Sequence, residues 1–519
     1  MRKATIMRTR HAIAPLLRTA LTLVLLFAGF GADAQLTDNT DRNTSKQSGD
    51  QSECAIAKNP LDHQQLFILC NEIGVPGLFA ARSTDYGQTW TYPDAADKTI
   101  ADGDAGQGPA AWCDPTLAWD NFGNLFITYI DQAGGNIITI LSTDGGATFA
   151  NLASFPGNVD QPTVVAASGA VWVVWNQNGQ MAAQGAAVTA LGTVGAFNAI
   201  QMIPGTNGCS YGDIAISPAG KVVQVCQNPT GGEGPATIFV NTDVDGLGAG
   251  NFGAIVNVTT TNVGGYDYIP AQSVRSVDAE AGLVYDFNAA SPHFGRLYLV
   301  YTDEVTDESN DLDITVRTSD DDGATWSGPT RVNDDATTRS QFFPKIASNP
   351  ATGNIGICWA DCRNSGTNTA IQEVCTIATP AGFPAFIDAN KVVSDGSFTS
   401  NGSANEFGDY AGITYLGTIH PAWGDTSNST SDNPDGTSNI DAYTDRVSGG
   451  AAAGNEGDPH ITTVDNVHFD FQGAGEFIAL RGEGVEIQTR QVPVATTFFP
   501  NPDPHDGLAT CVSVNSALA

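Results

Sequence analysis

Along most of the chain, apolar residues come in short runs closed by Gly, Asn or Asp, and the runs repeat in the same order. "CDPTLAWDNFGNLFITYI" from Cys113, "DQPTVVAASGAVWVVWNQ" from Asp160 and "YGDIAISPAGKVVQVCQ" from Tyr211 each hold a short strand, a turn, and a second strand. The second strand is rich in Val, Ile, Phe and Trp. "QFFPKIASNPATGNIGICWADCRN" from Gln341 and "GDYAGITYLGTIHPAWGD" from Gly408 have the same layout. One further unit starts near Cys54 and another covers about Ile269 to Trp326. β-Branched and aromatic runs of this length, joined by such turns, predict antiparallel strands. Long helical periodicity is nearly absent.

A second pattern sets the spacing of the units. "STDYGQTW" from Ser83 returns as "STDGGATF" from Ser142 and as "SDDDGATW" from Ser319. Asp85 and Asp144 stand 59 residues apart, and Asp144 and Asp321 stand 177 apart, three steps of the same ruler. A fixed period of this size predicts a repeat architecture. Repeated units of about four strands close most readily into a β-propeller, which leaves only short edges. The expectation is all-β, with seven blades and six as the alternative.

The repeated turn has a physical logic. Its Asp can accept hydrogen bonds from nearby backbone N–H groups. Its Gly permits a conformation that a side chain would penalise, and its terminal aromatic can anchor the turn in an apolar layer. Ser83, Asp85, Gly87, Thr89 and Trp90 form the first copy. Ser142, Asp144, Gly146, Thr148 and Phe149 form the second, and Ser319, Asp321, Gly323, Thr325 and Trp326 the third. "NTDVDG" from Asn241 stands where the fourth unit would carry its copy. The box resembles the Asp-box of the sialidase-like (BNR-repeat) propellers, where it joins the third and fourth strands of a blade. The resemblance implies a structural role, away from the catalytic face.

Catalytic members of that family hold a substrate carboxylate with three arginines, and use a Tyr assisted by a Glu with an Asp as acid/base. A planar guanidinium suits the task because it matches a carboxylate and stays charged. The first arginine normally sits in an Arg-Ile-Pro motif, which this chain lacks; "YIP" at Tyr268 has no arginine. Between Arg42 and Arg275 the only arginine is Arg82, beside the first box. Candidate catalytic residues, on the sialidase reading, are Arg363, Glu406 and Tyr410. Packing and rim positions explain the same residues without catalysis, so no catalytic residue is assigned.

The start of the chain adds a compartment. A basic beginning, an apolar run from Ala20 to Phe27 and an Ala-Asp-Ala site before Gln35 read as a secretory signal over residues 1–34, followed by a polar segment over 35–50. The mature chain is expected to be secreted, extracellular or at the cell surface, or periplasmic, with no transmembrane segment. Removing residues 1–34 takes away five basic residues and one acid, leaving 17 basic and 55 acidic residues and a net charge of −38. That charge excludes nucleic acid as a partner. Ca2+ becomes a candidate ligand, for which the acidic loop "YTDEVTDESNDLD" offers Asp303, Asp307, Asp311 and Asp313. Nine cysteines in an exported chain predict disulfides, and Cys54/Cys70, Cys209/Cys226 and Cys358/Cys375 share separations of 16 or 17 residues.

The propeller is expected over residues 51–447, then a small-residue linker over 448–456. "GDPHITTVDNVHFDFQG" opens the tail. It resembles the start of a von Willebrand factor type D domain through Gly457, Asp458, Pro459, His460, Thr463, Asp465 and the Phe469–Gly473 stretch. Residues 457–519 are expected to be a partial domain of this kind, with His460 and His468 structural. The resemblance implies an extracellular adhesive module. Taken together, the reading is an exported, non-catalytic propeller that binds a glycan or an extracellular protein. The alternative is an exo-α-sialidase-like glycoside hydrolase.

Overall fold

The computed structural model describes residues 36–229, 231–380 and 389–449, together with six strands between Gly454 and Leu518. No α-helix occurs among the described residues, and none there is long and apolar enough to cross a membrane. Seven antiparallel sheets follow one another along the chain and form a seven-bladed β-propeller. The first strand of each blade packs against the first strands of its neighbours and lines the axis. In chain order these inner strands are Gln51–Lys58, Ala111–Trp119, Val159–Ala167, Ser210–Ile216, Gly282–Tyr285, Gln341–Ser348 and Gly412–Leu416.

The apolar runs that give each blade its second strand are explained by burial on both faces. In Ala170–Gln177, Val171, Val173 and Trp175 pack toward blade two, while Trp172 and Val174 pack toward blade four. Side chains alternate across a strand, so a sheet sandwiched between two others needs apolar residues at successive positions. The same division recurs at each junction around the ring.

The ring closes through the stretch before residue 51. Arg42–Asn43 supplies the outermost strand of blade seven, pairing with Asp441–Thr444, and Thr37 bridges to Ser448. The residues expected as a separate polar segment therefore belong to the propeller. All three cysteine pairs of matched separation are bonded; two join neighbouring strands of one blade, and Cys209, just ahead of Ser210–Ile216, bonds to Cys226 in the next strand. Beyond residue 449, two three-stranded sheets are described, one of which includes Gly454–Glu456 from the expected linker. The signal segment, Cys511 and most of the type D motif lie outside the described residues.

Each repeated box follows the third strand of its blade. In the second copy the Asp144 carboxylate accepts from Ser142 Oγ at 2.8 Å, Thr148 N at 2.9 Å and Thr148 Oγ1 at 2.7 Å. Slight burial opposes ionisation there, but these bonds outweigh it and hold Asp144 below the ordinary carboxylate range. The aromatic reaches across to the preceding blade: the Phe149 ring sits edge-on to Phe67, 5.8 Å away. Third strands run parallel to inner strands, so the boxes lie on the face opposite the inner-strand starts. Asp144→Ala should cost about 1–2 kcal/mol in urea unfolding, since four bonds to the carboxylate go from a turn open to solvent. Any ligand affinity at the other face should be unchanged.

Candidate functional site

The inner strands share an irregularity at their starts. Pairing registers slip between Ser52 and Ala55, Cys113 and Thr116, Asp160 and Thr163, Ser210 and Asp213, and Phe342 and Lys345. Inside each slip one non-glycine residue adopts a left-handed backbone: Glu53, Asp114, Gln161, Tyr211 and Phe343, with φ between 47° and 58°. Bulges re-aim a side chain, and a left-handed non-glycine residue costs roughly 1–2 kcal/mol. Four of the five re-aimed side chains (Glu53, Asp114, Gln161 and Tyr211) face one cavity of about 640 Å³ at the propeller mouth. Strain of this kind gathers where a site must be held in place.

A hydrogen-bonded circuit runs from blade to blade around that cavity. The Asp409 N–H of blade seven donates to Glu53 Oε1 at 3.2 Å, and Asn71 Nδ2 donates to Glu53 Oε2. Asn71 Oδ1 accepts from Asp114 N at 3.0 Å, and Asp114 Oδ2 accepts from Gln161 N at 3.1 Å. Gln161 Oε1 accepts from Tyr211 N at 3.0 Å, and the Tyr211 hydroxyl donates to Gly265 O at 2.8 Å. An inserted hairpin, Asp267–Ile269 with Gln272–Val277, completes the circle. From it the Arg275 guanidinium returns to the Asp409 carboxylate.

Charge in this circuit is out of balance. Arg275 is the one guanidinium lining the cavity, against Glu53, Glu72, Asp114, Asp160 and Asp409. Burial pushes Glu53 and Asp114 up, and for Glu53 the Asp409 and Asp114 charges add to it. Burial and the Asp114 charge raise Asp160 to about 6. Burial also raises Asp409 to about 7, although Arg275 pulls the other way. Asp114 and Asp160 are close enough to perturb each other's titration, and both are raised. Burial also drives the Cys113 thiol upward, away from the reactive thiolate. Trp112, 60% exposed, and Tyr266 offer aromatic faces on the cavity wall.

The residues singled out from the sequence lie elsewhere. Arg363 spends its donors on Asp361, Asp334 and Asn390, away from the cavity. Glu406 is buried and accepts from Val274 N at 3.0 Å and Arg275 N at 2.9 Å, which anchors the hairpin to blade seven. Tyr410 sits beneath the mouth, its hydroxyl donating to Pro115 O at 3.1 Å. Of the four acidic-loop residues, Asp303 accepts from Asn262 N and Asp313 pairs with Arg331 at 2.8 Å. Among the described residues, the one group of three His, Cys, Asp or Glu ligand atoms mutually within 4.8 Å is Cys358, Glu373 and Cys375. Its two sulfurs are spent in a disulfide.

No protein-family profile matches this chain, and no curated protein does. Solved structures do share its outline. A protein of unknown function from Dyadobacter fermentans is 10% identical, with a TM-score of 0.43 over 80% of this chain and 99% of that one. The phage phi92 endosialidase is 13% identical, at a TM-score of 0.42 over 84% of this chain and 74% of that one. A GH93 α-L-arabinofuranosidase of Fusarium graminearum, solved with arabinobiose, is 11% identical, at 0.40 over 66% and 98%. The chemistry of the mouth rests on this chain's own residues.

Four of those residues leave a mark in the sequence, though their meeting at one mouth does not. Aligning the unit starts "CDPT", "DQPT", "YGDI", "QFFP" and "GDYA" places Asp114, Gln161, Tyr211, Phe343 and the Asp409–Tyr410 pair close to one column just ahead of the apolar run. Arg275 carries no such signal, because its hairpin is an insertion between two blades.

Proposed function

We propose that the mouth of this propeller binds an uncharged glycan, and that the protein acts outside the cell as a carbohydrate-binding module with an adhesion-type tail. One observation carries the reading: an open cavity that combines an exposed indole with a ring of hydrogen-bonding carboxyls and one guanidinium. Sugar rings stack on aromatic faces, and carboxylates accept from sugar hydroxyls. A sialic acid carboxylate would meet five acidic side chains and a lone Arg275 already paired with Asp409. That balance disfavours anionic sugars. The signal-like start, the disulfides and the type D resemblance of the tail support export and adhesion.

A glycan array with sialylated and neutral oligosaccharides tests this. Binding should be confined to neutral sugars, and Trp112→Ala should weaken it about 10-fold or more while barely moving the melting temperature. Retention of sialylated glycans alone would refute the proposal. A second reading is favoured by the neighbouring Asp114 and Asp160 carboxyls, both raised at the mouth, since acid/base hydrolysis of a glycoside needs one protonated and one ionised carboxyl. Turnover of neutral aryl glycosides, abolished by Asp160→Asn, would establish it.

A further inference from the structure

We propose that the inserted hairpin walls off one side of the mouth, so that the site takes the end of a glycan chain and not a stretch of its interior. This inference rests on the glycan reading above and adds which part of the chain is recognised. The hairpin, Asp267–Ile269 with Gln272–Val277, leaves the ring between blades four and five. Its far anchors are on blade seven. Gln272 is fully buried; its Nε2 donates to Gly408 O at 2.6 Å and its Oε1 accepts from Phe407 N at 3.3 Å. The Val274 and Arg275 N–H groups reach Glu406 in the same short stretch. Blades five and six stand between those two ends, so the hairpin has to cross the starts of their inner strands.

The side chains beneath it fit that path. Ile269, Ala271 and Val277 share one buried apolar cluster with Leu312 of blade five and with Phe342 and Phe343 of blade six. Phe343 is the left-handed bulge residue of its blade, the counterpart of Glu53, Asp114, Gln161 and Tyr211. It is only 3% exposed, sealed under the hairpin where its counterparts face the cavity. Blade five turns its left-handed Glu280 away from the mouth as well, into an ion pair with Lys345 of blade six. Burial of this apolar underside makes the hairpin a fixed wall, because lifting it would return the cluster to water. Among the described residues, the cavity is lined by blades one to four, by the hairpin segment and by Asn405 and Asp409, with none from the strands of blades five or six. On the other side the rim is open and carries Val75 and Trp112, 50% and 60% exposed. A chain threaded across the mouth needs both sides clear. One that ends against the hairpin needs only the side over Val75 and Trp112, and a steric wall of this kind rejects the other mode of binding.

Calorimetric titration of the whole protein with soluble neutral polysaccharides (a β-glucan, an α-mannan and a galactan) tests this, each used intact and after partial acid hydrolysis. Hydrolysis multiplies chain ends and leaves the number of interior units almost unchanged. Once the chains are shortened about 10-fold, the sugar mass needed for half-saturation should therefore fall about 10-fold. A site for chain interiors would need the same mass, or more as avidity is lost. Equal or greater mass after hydrolysis overturns this inference and leaves the glycan reading standing. If neither these polysaccharides nor the neutral glycans of the array bind in any form, the glycan reading falls and takes this inference with it.

Discussion

Deleting residues 36–50 should cost the protein on the order of 5–7 kcal/mol and broaden or split its unfolding transition. Residues in this stretch are the outer edge of blade seven. Thr44 N donates to Ala442 O at 2.7 Å and Thr44 Oγ1 to the same oxygen at 2.9 Å. Ala442 N donates to Ser45 Oγ at 3.0 Å, Gly49 N to Asp435 Oδ2 at 2.9 Å, and Asn43 Nδ2 to Asp441. At about 1 kcal/mol net for each bond, the hydrogen bonds alone amount to about 5 kcal/mol. Leu36, which packs among Tyr415, Ile419 and Val447, adds about 2 kcal/mol. The deletion also exposes an unpaired strand, so concentration-dependent association should appear. Urea titration and light scattering read both effects. A deleted chain as stable as its parent would mean that the ring does not depend on its first strand.

Arg275→Met is the second large effect, about 3 kcal/mol at neutral pH, because removing one partner of a mostly buried pair strands the other. Only 9% of the Asp409 side chain is exposed, and Glu53 and Asp114 stand in the same circuit. The cost should shrink as pH falls. Asp409 and Asp160 titrate at about 7 and about 6 in the folded protein, above the unfolded value of 3.8. The folded state therefore holds protons that the unfolded state releases, and stability rises as pH drops from about 7 toward 4. Wild type should accordingly melt higher near pH 5 than near pH 8. The Arg275→Met deficit should be smallest at the acid end, and Asp409→Asn in the Arg275→Met background should recover most of it. A deficit that does not change with pH would show that Arg275 acts through packing and not through its charge.

Candidate chemistry was less legible than architecture. Arg363, Glu406 and Tyr410 were drawn out by residue type and by resemblance, and the fold uses each for anchoring or packing. Glu406 is instructive: its carboxylate accepts two hairpin N–H groups, a role that depends on an insertion more than 130 residues earlier in the chain. The same holds for the acidic loop, where closely spaced aspartates do not converge: Asp303 turns to Asn262 N and Asp313 to Arg331. Hydrogen-bond and charge partners are set by which strand ends meet at one face, and spacing along the chain carries no record of that.

What the chain determined by itself is periodic and local. Apolar runs buried on both faces, turns closed by Asp and Gly, and cysteines one hairpin apart all act over a few to some twenty residues. A reader of the sequence can therefore recover strands, disulfides and the repeat. Two features were decided only by the tertiary structure: closure of blade seven by Arg42–Asn43, and the mouth where Glu53, Asp114, Gln161, Tyr211, Arg275 and Asp409 meet. Each joins residues from opposite ends of the chain or from different blades. Ring geometry brings them together, because seven inner strands begin at one face and four of the five bulges there aim their side chains into the same cavity.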